Sequence, residues 1–309
     1  MVLPEGLTTI DYNTFYMCTN LASITLPSTL TTAGNNIFYA CNRLVEIINK
    51  SEVELTVGKL MAKHGAEYVL AVHNGDSKLT AEGDFEFIAH DGVNYLTKYI
   101  GDNTQVVLPE NYNGENYKIH SFAFYYENGI TSVVVPNGVT AIGEYAFEGC
   151  GSIQSMVLPF VGNTADKTEA SKQSCFGFIF GAREYEGAQK ATQYYSASKS
   201  ANAYIPSSLT NVTINGGSVL YGAFYNCSMI TSLTFGEGVT ALGDRAFYEC
   251  SELTSVSFSK NLASIGERAF MYCNNLATIR FGASEEAWAG VTIGKYNTAL
   301  ENAEVIFAE

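Results

Sequence analysis

The chain reads as an elongated solenoid of stacked β-rungs, and three observations carry that expectation. Residues 130–152, ITSVVVPNGVTAIGEYAFEGCGS, and 230–252, ITSLTFGEGVTALGDRAFYECSE, are nearly the same 23 residues written twice. All six prolines (Pro4, Pro27, Pro109, Pro136, Pro159 and Pro206) follow Leu, Val or Ile. Six of the seven cysteines (Cys18, Cys41, Cys150, Cys227, Cys250 and Cys273) stand three residues after a phenylalanine of that same frame, and only Cys175 lies outside it. Self-similarity at a fixed period of this length is the mark of a repeat architecture.

The frame is L-x-x-I-x-L-P-x-x-V-x-x-I-G-x-x-A-F-x-x-C-x-x. Clear copies span 21–43, 130–152, 230–252 and 253–275, with a truncated copy at 3–20 and distorted ones near 104–129 and 209–229. Its opening run alternates apolar with polar over the last four positions, as a strand with one buried face does. Proline then ends the strand, because it has no N–H to donate to the ladder. The segment V-x-x-I-G leads into a short helical turn whose Ala and Phe point inward, and the Phe column is Phe15, Phe38, Phe124, Phe147, Phe224, Phe247 and Phe270.

The Gly column holds Gly34, Gly143, Gly243 and Gly266, with Asp11 and His120 as substitutes and Leu220 as an exception. Gly, Asp and His share a tolerance of positive φ, so the column is expected to mark a left-handed turn. One such unit cannot bury its own apolar face. Stacked units extend their strands into a parallel sheet and line their Phe, Leu and Ile columns into one core, with rungs about 4.8 Å apart.

The frame breaks twice and then diverges. Rungs are expected over 1–48, 104–159 and 205–281. Between them, residues 49–103 read as an irregular β insertion, with a hairpin about Asp91-Gly92 in FEFIAHDGVNYLTKYI. Residues 160–204 read as a polar insertion rich in Ser, Ala, Lys and Tyr, in which FGFIF is an isolated apolar patch within a loop too polar to make a core. Residues 282–309 read as a C-terminal cap: Ser284 caps a short helix, and the sole Trp, Trp288, covers the last rung. No comparable cap precedes residue 3, which raises the expectation of further sequence N-terminal to it.

The 309 residues are 47% hydrophobic and 16% charged, enough to bury a large core. Thirty-one acidic against 17 basic side chains give a net charge of −14, which repels phosphate backbones and anionic lipid surfaces. Nucleic acid is thereby disfavoured as a partner. No run of 18 apolar residues is present, so membrane insertion is not expected, and MVLPEGLTTI lacks the basic start and apolar stretch of a secretory signal.

Chemical motifs are sparse. Cysteines 23 residues apart form no C-x-x-C pair and read as small apolar fillers with free thiols. His64, His73, His90 and His120 have no ligand spacing, and Asp84 with Glu86 reads as a solvated strand face. GEGVTALG at 236–243 fails G-x-G-x-x-G, and the repeat already explains its glycines. No catalytic residue, metal site or cofactor is assigned. Five of the seven residues after the column Phe are tyrosines (Tyr16, Tyr39, Tyr125, Tyr225 and Tyr248), expected to pack along the flank with their hydroxyls wet.

These columns resemble the bacterial BspA-type leucine-rich repeat family, whose units look like L-x-x-I-x-I-P-x-x-V-x-x-I-G-x-x-A-F-x-x-C. The PFVG and FG-x-IFG breaks of the second insertion are similar to breaks in that family. The resemblance implies a leucine-rich repeat solenoid wound as a right-handed superhelix, and a non-catalytic surface or secreted bacterial protein that serves in adhesion or partner binding. The implied partner is a protein or glycan, and the chain is expected to be monomeric. Two alternatives stand beside this reading: an enzyme with its site in 49–103 or 160–204, and a structural spacer displaying another domain.

In the strand run the residues alternating with the buried Ile and second Leu face solvent. The candidate partner-binding positions on this face are Ser132, Val134, Ser155, Ser232, Thr234, Ser255 and Ser257, within two ladders of small side chains. Tyr194 and Tyr195 of the second insertion are the competing candidate site.

Overall fold

The computed structural model describes residues 1–58 and 62–308, which leaves out Lys59 to Met61 of the first insertion and the terminal Glu309. Contacts divide the chain into two compact units, one of residues 1–101 with 119–123 and the other of residues 102–118 with 124–309.

The first unit carries a parallel sheet of β1 (Ser23–Leu26), β2 (Glu46–Asn49) and β3 (Ala71–His73), in the register Ser23↔Glu46↔Ala71. Ile24, Leu26, Leu30, Phe38, Leu44 and Ile47 fill its core. A second, shorter parallel pair, Thr9–Ile10 with Thr32–Ala33, forms at the V-x-x-I segment of the frame. Farther along, β4 (Phe85–His90) and β5 (Val93–Tyr99) make the antiparallel hairpin expected at Asp91-Gly92. Both turn residues have positive φ, 50° and 74°, the conformation a two-residue turn between twisted strands requires.

The second unit is built on one eight-stranded parallel sheet. In chain order its strands are β6 (Gln105–Val107), β7 (Ser132–Val134) and β8 (Ser155–Leu158), followed by β11 (Asn211–Ile214), β12 (Ser232–Phe235), β13 (Ser255–Phe258), β14 (Thr278–Phe281) and β15 (Glu304–Phe307). Strands β9 (Ala188–Tyr194) and β10 (Ser200–Pro206) form a separate antiparallel hairpin in the second insertion. That insertion does not interrupt the main sheet, since β8 pairs directly with β11 in the register Ser155↔Asn211 and Leu158↔Ile214. A three-stranded parallel sheet, Ala241–Leu242, Ser264–Ile265 and Thr292–Ile293, repeats the short pairing at the V-x-x-I segment.

The Phe column is a stack of rings. Within the second unit Phe124–Phe147, Phe224–Phe247 and Phe247–Phe270 lie 4.7, 5.2 and 4.9 Å apart between centroids and within 15–22° of parallel. Phe15 stacks on Phe38 at 5.7 Å in the first unit, but Phe15 is only half-buried while the other six column rings are buried. The second insertion supplies the missing step. FGFIF forms a 3-10 turn, Phe176–Ile179, and Phe176 stacks on Phe224 at 4.6 Å while Phe180 meets Phe147 at 6.4 Å. The apolar patch that reads as an interruption of a polar loop is therefore core: burying three aromatic rings outweighs the polarity of its flanks.

The Gly column departs from expectation. Gly34, Gly143, Gly243 and Gly266 do not have positive φ. A methyl group at Gly34 or Gly243 would lie 2.6 Å from the backbone nitrogen of Tyr12 or Tyr221, on the rung 22 residues earlier. Close approach of backbones selects glycine here. The left-handed residues stand two places later, at Asn36, Tyr145, Arg245 and Arg268, and again two after the column Phe, at Met17, Ala40, Tyr126, Asn226, Glu249 and Tyr272, with Gly149 in the same place.

The cysteines do more than fill space. Cys41, Cys150, Cys250 and Cys273 each donate the thiol to the carbonyl oxygen of the Phe 26 residues earlier, at 2.9–3.2 Å. All seven are free.

Nor is the C-terminal segment simply a lid. Ser284 caps α1 (Glu285–Ala289) through its side chain, as expected, and Trp288 packs on Phe281 and Phe258 at 5.1 and 6.1 Å. The chain then lays down a further rung, with Leu300 of α2 (Thr298–Asn302) buried and β15 paired to β14.

Candidate functional site

Parallel pairing at fixed register brings equivalent residues of successive rungs side by side on the outer face of the eight-stranded sheet. One ladder runs Gln105, Ser132, Ser155, Asn211, Ser232, Ser255, Thr278 and Glu304. Its neighbour runs Val107, Val134, Val157, Thr213, Thr234, Ser257, Arg280 and Ile306. Every sequence-selected position of this face thus falls in one of two continuous rows, although residues 160–204 separate Ser155 from Ser232 along the chain.

These side chains line the sheet without filling it. Ser132, Val134, Ser155, Ser232, Ser255 and Ser257 are half-buried by their neighbours, and Thr234 is exposed. The inward partners Val133, Met156, Val212, Leu233, Val256 and Ile279 are buried. The middle of the face carries hydroxyl, amide and methyl groups, and charge appears at Arg280 and Glu304 near the C-terminal edge.

The equivalent ladder in the first unit is closed. There the residue opposite Ser23 is Glu46, fully buried, whose carboxylate accepts from Ser23 Oγ at 2.8 Å, Ser77 Oγ at 2.7 Å and the Lys78 N–H at 2.7 Å, with His73 Nε2 at 3.0 Å. Burial alone pushes this carboxyl upward, but the hydrogen bonds from Lys78, Ser77, His73 and Ser23 outweigh it and hold the group below the usual range. The 77–78 turn lies against the first unit's strands through these bonds.

Along the flank of the second unit the tyrosines also stack. Tyr225 and Tyr248 lie 4.7 Å apart at 21°, Tyr194 meets Tyr225 at 5.0 Å, and Tyr272 meets Tyr248 edge-on at 5.1 Å. The Arg245 guanidinium sits 5.7 Å over the Tyr221 ring and 6.0 Å over that of Tyr248. The structure therefore joins Tyr194 to the flank column. It leaves Tyr195 at the far end of the β9–β10 hairpin, where its N–H donates to Lys199 O at 3.0 Å. Tyr272 and Tyr221 escape a search of the post-Phe position because they stand elsewhere in the frame.

A cavity of about 500 Å³ beside the start of the second insertion is lined by Lys118, Asn137, Thr140, Phe160, Thr164 and Asp166 among others, with no His or Cys. Among the described residues no cluster of three or more His, Cys, Asp or Glu is placed to hold a metal ion, and no helix is long and apolar enough to cross a membrane.

Short parallel strands in register, ring columns behind them and turns in place of long helices define a leucine-rich repeat solenoid. The profile of the BspA type leucine rich repeat region matches residues 1–59, 102–177 and 194–295 in six copies, well over half of the chain, and the chain belongs to that family. The unmatched stretches fall inside the two insertions and at the C-terminal end. Among solved structures, a leucine rich cell surface protein from Faecalibacterium prausnitzii A2-165 is similar at 20% identity over 94% of this chain and 55% of its own, with a TM-score of 0.34. The pneumococcal vaccine antigen PcpA is similar at 13% identity over 98% and 71%, with a TM-score of 0.37. A leucine rich repeat protein of T. pallidum is similar at 20% identity over 70% and 81%, with a TM-score of 0.30. The chain spans about half the length of the first of these. No curated protein matches it.

Proposed function

We propose that this chain is a non-catalytic binding module of the bacterial surface or exterior, monomeric, which takes an extended segment of a partner protein across the outer face of the eight-stranded sheet. Membership of a repeat family whose members are typically bacterial surface proteins supports the compartment. The single observation that carries the binding face is the unbroken register of its two ladders from Ser132 to Thr278, preserved even where the second insertion leaves and re-enters the chain.

A row of small hydroxyl and methyl groups offers many weak contacts, with an open cavity of about 340 Å³ at the C-terminal edge lined by Ser257, Arg280 and Ile306 among others. Tight interfaces centre on Trp, Tyr and Arg anchors, so this face fits weak binding strengthened by avidity. Biolayer interferometry of the chain against an array of extracellular proteins and glycans tests the reading. Hits given by the wild type should be lost in the double variant Ser232→Arg, Ser255→Arg with the thermal transition intact. Hits that survive that change but vanish in Tyr194→Ala, Tyr195→Ala would move the site to the insertion, and hits confined to glycans would exclude a protein partner.

A further inference from the structure

We propose that residues 181–187, the bend of the second insertion, form a proton-gated strap over the flank of the second unit, closed while the carboxyl of Glu148 is protonated and loosened when it ionises. Glu148 stands in the rung turn between Phe147 and Cys150. Its side chain is fully buried, and neither carboxylate oxygen has a hydrogen-bond partner. Among the described residues the cation paired with it is Arg183 of the strap itself, with Nη1 3.6 Å from Oε1 and a side chain 58% exposed, so solvent screens the charge it offers.

The strap is fastened at its ends. Gly181 and Gly187 have φ of +87° and +80°, which only glycine adopts freely. The Gly181 carbonyl accepts from Tyr204 N at 2.9 Å, and the Gly187 carbonyl from Ser207 N at 2.8 Å. Between them only Tyr185 is buried, its hydroxyl donating to Tyr204 O at 2.8 Å, while Ala182, Arg183, Glu184 and Glu186 are exposed. Gly181 closes directly over the carboxyl, since a methyl group there would collide with the Tyr145 ring and lie 2.9 Å from Glu148 Oε2. A covering segment whose main buried load is one phenol is the element most easily lifted.

The other ionisable groups around Glu148 do not supply a counter-charge. Glu144, in the same turn, is a like charge already paired to Lys172 of the insertion. Tyr145 beside it, Tyr125 of the preceding rung and Tyr185 of the strap have phenols pushed upward, first by burial, so they stay protonated through neutrality. Tyr126 presents its ring to Tyr125 and Tyr185. The strap carboxylates Glu184 and Glu186 face solvent and are negative. Burial therefore dominates at Glu148: it raises the group, Arg183 pulls it down, Glu144 raises it further, and the carboxyl titrates at about 7.

A lifted strap lets water reach the carboxyl and returns it to the ordinary range of about 4.3. The closed form then holds the proton more tightly than the open one. Closure is strongest below about 4.3, weakens as pH rises from there through 7 and levels off above, the open–closed ratio rising by about tenfold between pH 6 and pH 8. Opening would bare Glu148 on the flank beside Tyr126, which is already exposed, and would lift Tyr185 away with the strap.

Hydrogen exchange read by mass spectrometry from pH 5.5 to 8.5, with exchange times scaled to the intrinsic rate, tests the strap. In the wild type, protection of the peptides carrying the Tyr204 and Ser207 amides, which donate to the strap carbonyls of Gly181 and Gly187, should fall about tenfold from pH 6 to pH 8 while peptides of β12 and β13 stay unchanged. In Glu148→Gln, which keeps the shape and cannot ionise, strap protection should be flat with pH. In Arg183→Gln, an exposed change that folding tolerates, the loss of protection should extend to higher pH because the guanidinium paired with Glu148 is gone. A wild-type strap whose protection is flat, a pH response retained in Glu148→Gln, or a fall shared by β12 and β13 would each overturn the proposal.

Discussion

The thiol of Cys250 donates to the carbonyl oxygen of Phe224, 3.2 Å away across one rung. The same carbonyl also accepts the N–H of Cys227 at 3.1 Å, so the contact adds a second, weak bond to an acceptor already satisfied. Cysteine thus serves both as a small core side chain and as a stitch between rungs. Because burial pushes the thiols of Cys41 and Cys175 up to about 12, and raises those of Cys227 and Cys250 as well, these sulfurs are poor nucleophiles in the folded protein. A thiol reagent at neutral pH should label half-buried Cys18 first in the native state and all seven after denaturation without reductant. Fewer than seven in the denatured protein would mean a disulfide.

The ring column should carry much of the second unit's stability. Phe247→Ala removes a fully buried ring that stacks on both neighbours, and should cost about 3–5 kcal/mol. Phe176→Ala should cost a similar amount although it lies in the insertion, because its ring stacks on Phe224 as the column rings do. Phe15→Ala, at a half-buried ring, should cost clearly less. Chemical denaturation of the three variants reads the order, and a mild Phe176→Ala would put the insertion outside the core.

How far the sequence discloses these features depends on how each is encoded. Wherever one side chain recurs at a constant offset, as in the Phe and Cys columns or the Ser132 and Val134 ladders, the pattern is legible because translation along the solenoid is the only operation relating the copies. The role of Phe176 is not, since the insertion breaks the offset and surrounds FGFIF with polar residues. The Gly column shows where a residue type is right and its cause wrong: close approach and positive φ both select glycine, and only geometry separates them. Glu46 and Glu148 are invisible for another reason. Their surroundings come from the non-repeating turns at 73–78 and 181–187, and no periodicity reports which acid such a turn will cover.

The two glycine-selecting causes predict opposite substitutions. At Gly266 an added methyl would press into the backbone of Gly243 and Asp244, so Gly266→Ala should destabilise by about 1–3 kcal/mol. At Glu249, exposed and held at φ 62°, a side chain is strained and Gly149 already fills the equivalent place. Glu249→Gly should leave stability unchanged or raise it by up to about 1 kcal/mol, the relief of left-handed strain offset by the freer unfolded chain. Melting curves of the two variants decide it, and a harmful Glu249→Gly would show that its side chain matters more than its backbone.

The cradle of Glu46 should make the first unit acid-sensitive. Its carboxyl is held below the usual range when folded, and so binds its proton less tightly than in the unfolded chain. Such a group stabilises the fold above its unfolded value of about 4.3, and the contribution disappears as pH falls through the lower folded value. Glu148 acts in the opposite sense, its raised carboxyl costing stability as pH rises from about 4.3 through 7, so a wild-type profile alone mixes the two. Comparison with Glu46→Gln separates them, because Glu148 is common to both proteins. At pH 7 the variant loses charge-assisted bonds to Ser23, Ser77 and Lys78 and places an amide donor against them, which should cost about 1–3 kcal/mol. On titration to pH 3 that gap should narrow, as the wild type protonates and the variant does not. A gap constant with pH would mean that Glu46 contributes through shape alone, whereas a closing gap accompanied by early proteolysis at 74–78 would identify the carboxylate as what holds that turn on the first unit's sheet.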